Sequence, residues 1–174
     1  MPRLFALDHN FPQPIVNVLA EFQEAAELVR IDAVHPKMPE LDDWEVLLAL
    51  RQHARPWDGL ITTDSSILKQ PLELSVLIQT KLTLVVATEA GHDPVKATGL
   101  IFAYLGYVCK RTDRSRAQVW KLSAANRPHI EPWDELTRVA SHQHRDVNEL
   151  FGEHRLSIDD LDRDPLAETG GREL

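Results

Sequence analysis

The chain has 174 residues, 43% of them apolar and 26% charged, with a formal net charge of −8. That length fits one domain with an appendage and is enough to bury a core, and the composition is ordinary for a soluble globular protein. The charge does not suggest non-specific DNA binding; no apolar run approaches the roughly 20 residues of a membrane span; and Cys109, the only cysteine, excludes an internal disulfide or a cysteine-based zinc site.

The N-terminus runs straight into apolar sequence without the basic and apolar regions of a signal peptide, so a reducing cytoplasm is the expected compartment. Residues 124–174 hold six arginines against twelve acids, whereas 1–123 are nearly balanced. An acidic tail on a balanced body leaves room for a carboxylate cluster neutralised by metal.

Leu4-Phe5-Ala6-Leu7 is an unbroken apolar run ending in Asp8-His9-Asn10. It predicts a strand covered on both faces, as in a parallel sheet. Pro12 and Pro14 suit a first helical turn, so a helix is expected over Phe11 to Phe22. Asp8 would then stand at the carboxyl edge of a sheet, where open α/β folds bind ligands. As an alternative, Asp8 only caps that helix. Asn10 is placed to orient Asp8 or a bound water.

Alternation over 27–32 predicts a second strand, and His35 to Leu41, with Pro36 and Pro39, a loop. Asp42-Asp43 opens a helix through His53, with Val46, Leu47, Leu50 and Ala54 at helical spacing. Asp58-Gly59 reads as a turn, and Leu60-Ile61-Thr62-Thr63 as a third strand running into Asp64. A short helical turn follows at Ser65, and Leu72 to Thr80 is either a helix or an irregular crossover. Leu82 to Ala87 is a buried strand, Val95 to Lys110 an apolar helix, and Ala117 to Leu122 the last strand. Cys109, in that helix, reads as a small core residue. Residues 131–150 predict one polar helix, and the last ten or so residues disorder. Strands alternating with helices imply one α/β domain over 1–123, with a largely parallel sheet and helices on both faces. Residues 124–174 would form a polar helical extension with an acidic tail.

In such a topology strand ends and helix starts meet at one rim. Asp8, Asp42/Asp43 with Glu45, and Asp64 would converge there. Like charges packed that closely need a counter-ion, and Mg²⁺ or Mn²⁺ is the natural partner of oxygen ligands. Such ions beside a phosphodiester can promote attack by water and stabilise the leaving oxygen. Each acid also has a structural reading. One of Asp42 and Asp43 is needed as a cap, Asp64 can cap the turn at Ser65, and Glu45 suits a first helical turn.

The ordered motifs Phe5-Ala6-Leu7-Asp8-His9-Asn10, Asp43-Trp44-Glu45-Val46-Leu47 and Leu60-Ile61-Thr62-Thr63-Asp64 resemble the PIN-like nuclease superfamily, which includes toxins of VapBC systems. The likeness covers about residues 3–123 and is nearest to the compact branch. It implies a Mg²⁺- or Mn²⁺-dependent endoribonuclease with Asp8, Asp43 and Asp64 as catalytic metal ligands and Glu45 as a fourth acid. It implies that Asn10 and Thr62 support the ligands or touch substrate, Thr62 by hydrogen-bonding a water at the metal or a phosphate. RNA as substrate and a protein antitoxin as partner follow, with no membrane; a homodimer is compatible. The early-helix glutamate of larger members has no counterpart here. Its absence sustains an alternative, a non-catalytic module that binds RNA or a protein.

Other constellations are weaker. Asp8-x-Asn10 lacks the second aspartate of haloacid-dehalogenase phosphatases, and no Gly-rich phosphate loop follows a strand. His142 and His144 sit two apart and face different sides of a helix, so they read as solvated. Lys110, Arg111, Arg114, Arg116 and Lys121 are the one basic concentration, a solvated loop or a contact for an RNA backbone.

Overall fold

A computed structural model describes every residue except Pro12, Gln23, Glu89, Gly91, His92, Arg127 and 168–174. The elements are β1 (Arg3–Leu7), α1 (Gln13–Phe22), β2 (Ala26–Arg30), α2 (Ile31–Val34), α3 (Asp43–Gln52), β3 (Gly59–Thr62), α4 (Pro71–Thr80) and β4 (Thr83–Ala87), followed by α5 (Pro94–Arg111), β5 (Gln118–Leu122), β6 (His129–Ile130), α6 (Pro132–His142), α7 (Val147–His154) and α8 (Ile158–Leu161). Short 3-10 turns occupy Met38–Glu40 and Ser65–Lys69. The fold is α/β: six strands in the order β2-β1-β3-β4-β5-β6, parallel except for β6.

Local chemistry explains the boundaries. Proline, which lacks the N–H that a first helical residue would leave unpaired, opens α4, α5 and α6 at Pro71, Pro94 and Pro132. Asp93 caps α5 by accepting from the Val95 and Lys96 amides. Helix α4 ends at Lys81, which takes the left-handed conformation (φ 58°) and donates its amide to Leu77. Gly59 lets β3 approach β4, because a Cβ there would lie 1.8 Å from the Thr83 carbonyl oxygen.

The two-residue period of the strands builds two cores. Phe5 and Leu7 of β1, Ile61 of β3 and Val85 of β4 face α1 and α5, whereas Leu4, Ala6, Leu60, Leu84 and Val86 face α3, α4, α6 and α7. One crossover is unusual. The steps β1–β2, β2–β3 and β3–β4 share one hand, since reversal of direction after β2 is matched by a change of face. The β4–α5–β5 step moves in the same direction as β3–β4 but crosses on the α1 face, so its hand is opposite. Nearly all such connections have a single hand. Here α5 supplies cover that α1 alone cannot extend across β4 and β5.

Several expectations are revised. Strand β2 stops at Arg30, and Asp32 lies on α2, where it pairs with Arg30 at 2.7 Å. Of the two alternatives for Leu72 to Thr80, the helix is the one observed. β5 is not the last strand, because β6 adds to it antiparallel through Val119–Ile130 and Trp120–His129. The expected helix over 131–150 is two helices. His144 adopts φ 54°, and Asp146 starts α7 by accepting from the Asn148 and Glu149 amides. These helices are amphipathic, with Leu136, Val139, Ala140 and Leu150 buried in the α4-side core. Cys109 is buried in the other core, and its thiol is pushed up to about 11, chiefly by burial. The expectation of a disordered end falls mostly on 168–174, outside the described residues. Among the described residues no helix is long and apolar enough to cross a membrane.

Candidate metal centre

The chain steps from β1 to β2 on one side and then returns past β1 to β3 on the other, so the direction of winding switches between the neighbouring strands β1 and β3. A switch point of this kind opens a crevice at the carboxyl ends of the strands. Asp8 directly follows β1, and Asp64 follows β3 by one residue. Asp43 is the first residue of α3 and reaches the same rim from the other side. All three line one pocket with His9 and Asn10, above apolar Ile31, Val46 and Leu60. Its volume is about 100 Å³, well below the roughly 300 Å³ at which organic-ligand sites begin. An ion with its waters suits that space better than a cofactor does.

The acids are tied together by second contacts. Thr62, 3% exposed, donates its hydroxyl to Asp8 Oδ2 at 2.9 Å and accepts the Asp64 amide at 3.0 Å. Asn10 Nδ2 donates to the same Asp8 oxygen at 3.2 Å, and His9 Nδ1 lies 2.8 Å from Asp8 Oδ1. The carboxylate of Asp8 is thus engaged by side chains that orient it rather than by the start of α1. Thr62 is held between the two strand ends, where it supports Asp8 and Asp64.

Asp64 caps a turn and also lines the pocket. Its Oδ1 accepts the Ser66 amide at 2.8 Å, at the start of the 3-10 turn. The division of labour at α3 is cleaner. Asp42 is the N-cap, and Glu45 forms a capping box with it by accepting the Asp42 amide on Oε2 at 2.9 Å. Asp43 is the spare acid and points to the pocket. Glu45, expected as a fourth acid, is not among the residues lining the pocket and is engaged in the capping box.

Asp43 has its pKa raised to about 6 by burial of the carboxyl, then by the charges of Asp8, Asp64, Glu73 and Asp42. The residue retains an exposed surface. Glu73, on the first turn of α4, is a further acid that the sequence did not single out. Its own pKa is raised by burial and by Asp42, with His154 opposing. Only its place in a first helical turn was visible in the sequence. His9, beside Asp8, likewise carries no spacing signal of its own.

Among the described residues, no three His, Cys, Asp or Glu side chains stand as a ready metal-binding group. The donor set nevertheless fits a hard cation. Mg²⁺ keeps several waters and needs only one or two carboxylates from the protein, and three carboxylates around a small pocket supply them. Asp8, Asp43 and Asp64 are the residues that would hold it.

The basic stretch of 110–121 lies largely at the opposite, amino-terminal rim and is mostly engaged. Arg114 pairs with buried Asp58 at 2.7 Å, Arg116 with Asp113 and Glu131, and Lys121 with Glu135; Arg111 lies over the Tyr107 ring. Asp58, expected only to start a turn, also accepts from Arg3 and from the Leu4 amide. Compared with known proteins, the chain matches no family model, no curated protein and no solved structure.

Proposed function

We propose that this protein is a PIN-like, Mg²⁺- or Mn²⁺-dependent endoribonuclease. The observation that carries this reading is the meeting of Asp8, Asp43 and Asp64 in one small pocket at the switch point of the sheet, with Asp43 raised in pKa partly by the other two. A cation held there would supply Lewis-acid polarisation of a phosphodiester and a nucleophile at neutral pH. The chain's own residues do the rest. Asp8 and Asp64 are fixed relative to each other through Thr62, Asn10 and His9 hold the two oxygens of Asp8, and the apolar floor limits water. No protein nucleophile is needed.

A role as the toxin of a toxin–antitoxin pair belongs to the same proposal and rests on the sequence resemblance. A cytoplasmic setting and a protein antitoxin that covers the pocket follow from it. Incubation of the purified chain with single-stranded RNA, with Mn²⁺ or with EDTA, tests the reading: cleavage is expected with Mn²⁺ alone.

A second reading, a non-catalytic module that binds RNA or a protein, is favoured by two observations. Glu45 is committed to its capping box, and the acids do not form a ready three-ligand group among the described residues. Metal-independent RNA binding without cleavage would support it.

A further inference from the structure

A polyanion brought to three carboxylates on a chain of net charge −8 needs cationic contacts nearby. Of the stretch 110–121, Lys121 lies toward this rim, and it is paired with Glu135. A different cavity, of about 280 Å³, is lined by Lys69, Arg138, Val139, His142 and Gln143. None of these is acidic. Lys69 ends the 3-10 turn that Asp64 heads, and five residues at a rise of about 2 Å put it about 10 Å beyond Asp64. The other side of the cavity is the last turn of α6, which packs against that 3-10 turn.

Charge is left over in this cavity. Arg138 reaches Glu135, but that carboxylate is shared with Lys121, so one negative group answers two positive ones. The carbonyl end of α6 accounts for a basic side chain such as His142 in its last turn. It does not account for Lys69, which comes from another element.

We propose that this cavity binds a backbone phosphate of single-stranded RNA, flanking the bond presented to Asp8, Asp43 and Asp64. The inference rests on the ribonuclease reading and names where its substrate is held. Lys69 acts as a point charge, Arg138 offers the N–H groups that Glu135 does not take, and Gln143 adds an amide donor.

The test uses the full chain and a labelled single-stranded RNA oligonucleotide in EDTA, with affinity measured across a series of KCl concentrations. Loss of one phosphate contact lowers the slope of log K against log salt by about 0.7 for a single strand. Lys69→Gln is expected to weaken binding severalfold and lower the slope by that amount. Lys69 is exposed, so the variant keeps its fold. Lys110→Gln, near the opposite rim, is expected to leave the slope unchanged. An unchanged slope in Lys69→Gln, or an equal fall in Lys110→Gln, overturns the proposal. So does Lys69-dependent binding of polyglutamate by a chain that ignores the oligonucleotide, because the cavity would then serve an acidic protein. Mn²⁺-dependent cleavage with an unchanged Lys69→Gln slope removes the phosphate site and leaves the nuclease. A shifted slope without cleavage removes the nuclease and leaves the RNA site.

Discussion

The hydroxyl of Thr62 donates to Asp8 Oδ2 at 2.9 Å, across the boundary between two neighbouring parallel strands. The Thr62 hydroxyl oxygen in turn accepts the Asp64 amide, so one buried side chain fixes two of the three pocket acids. Thr62→Val keeps the shape and removes both bonds. A hydrogen bond to a charged group contributes about 1.5–3 kcal/mol, and His9 and Asn10 retain part of the hold on Asp8. The variant is expected to lose about 1–2 kcal/mol in urea unfolding, with reduced cleavage, and Thr62→Ser is expected to recover most of both. Unchanged stability in Thr62→Val would show that the bridge contributes little.

The raised pKa of Asp43 sets a pH dependence whose sign can be worked out. Between its ordinary value of 3.8 and about 6 the folded state binds more protons than the unfolded one. Stability therefore falls as pH rises through that window, and the loss is complete above it. Asp43→Asn removes the repulsion, so the metal-free variant is expected to melt higher than the parent at pH 7.5, with a smaller gap near pH 5. Mn²⁺ is expected to raise the melting temperature of the parent more at pH 7.5 than at pH 5. A gap independent of pH would contradict the repulsion.

Asp58 provides the control at the opposite rim. Burial alone would raise its pKa, but hydrogen bonds from Arg114 and the Leu4 amide, with the charges of Arg114 and Arg3, hold it below the ordinary value. Its contribution is present above about pH 4 and is lost as pH falls through that lowered value. Removing one partner of a buried pair costs about 3–5 kcal/mol, and partial exposure of Arg3 and Arg114 points to the low end. Asp58→Asn is expected to be destabilised by about 3 kcal/mol at pH 7, with cleavage per folded molecule unchanged. A loss of cleavage beyond the loss of folded protein would place Asp58 in the site.

Much of the site was legible because its residues sit where local pattern changes. Asp8 and Asp64 each end an apolar strand, and a doubled acid before a helical period marks one residue beyond the cap. Glu45 is ambiguous in the sequence, because an acid at the third helical position suits a capping box and a metal equally well, and the structure shows the capping box through the 2.9 Å bond to the Asp42 amide. Glu73 nears Asp43 through the packing of α4 beside α3, which no local spacing encodes. Likewise, the Asp58 ion pairs join residues 55 and 56 positions apart. The two residues of β6 are too few for a period, and the break before α7 was readable only from Asp146 as a cap.

The central claim is that Asp64 is a metal ligand as well as a cap, and Asp64→Asn tests it most directly. Asparagine accepts the Ser66 amide about as well as aspartate does, so the turn and the fold should persist. The variant also relieves repulsion on Asp43. Cleavage of single-stranded RNA in Mn²⁺ is measured beside the melting temperature of the metal-free protein. Cleavage lower by orders of magnitude, with an equal or higher melting temperature, is the predicted result. Full Mn²⁺-dependent cleavage by Asp64→Asn would contradict the assignment.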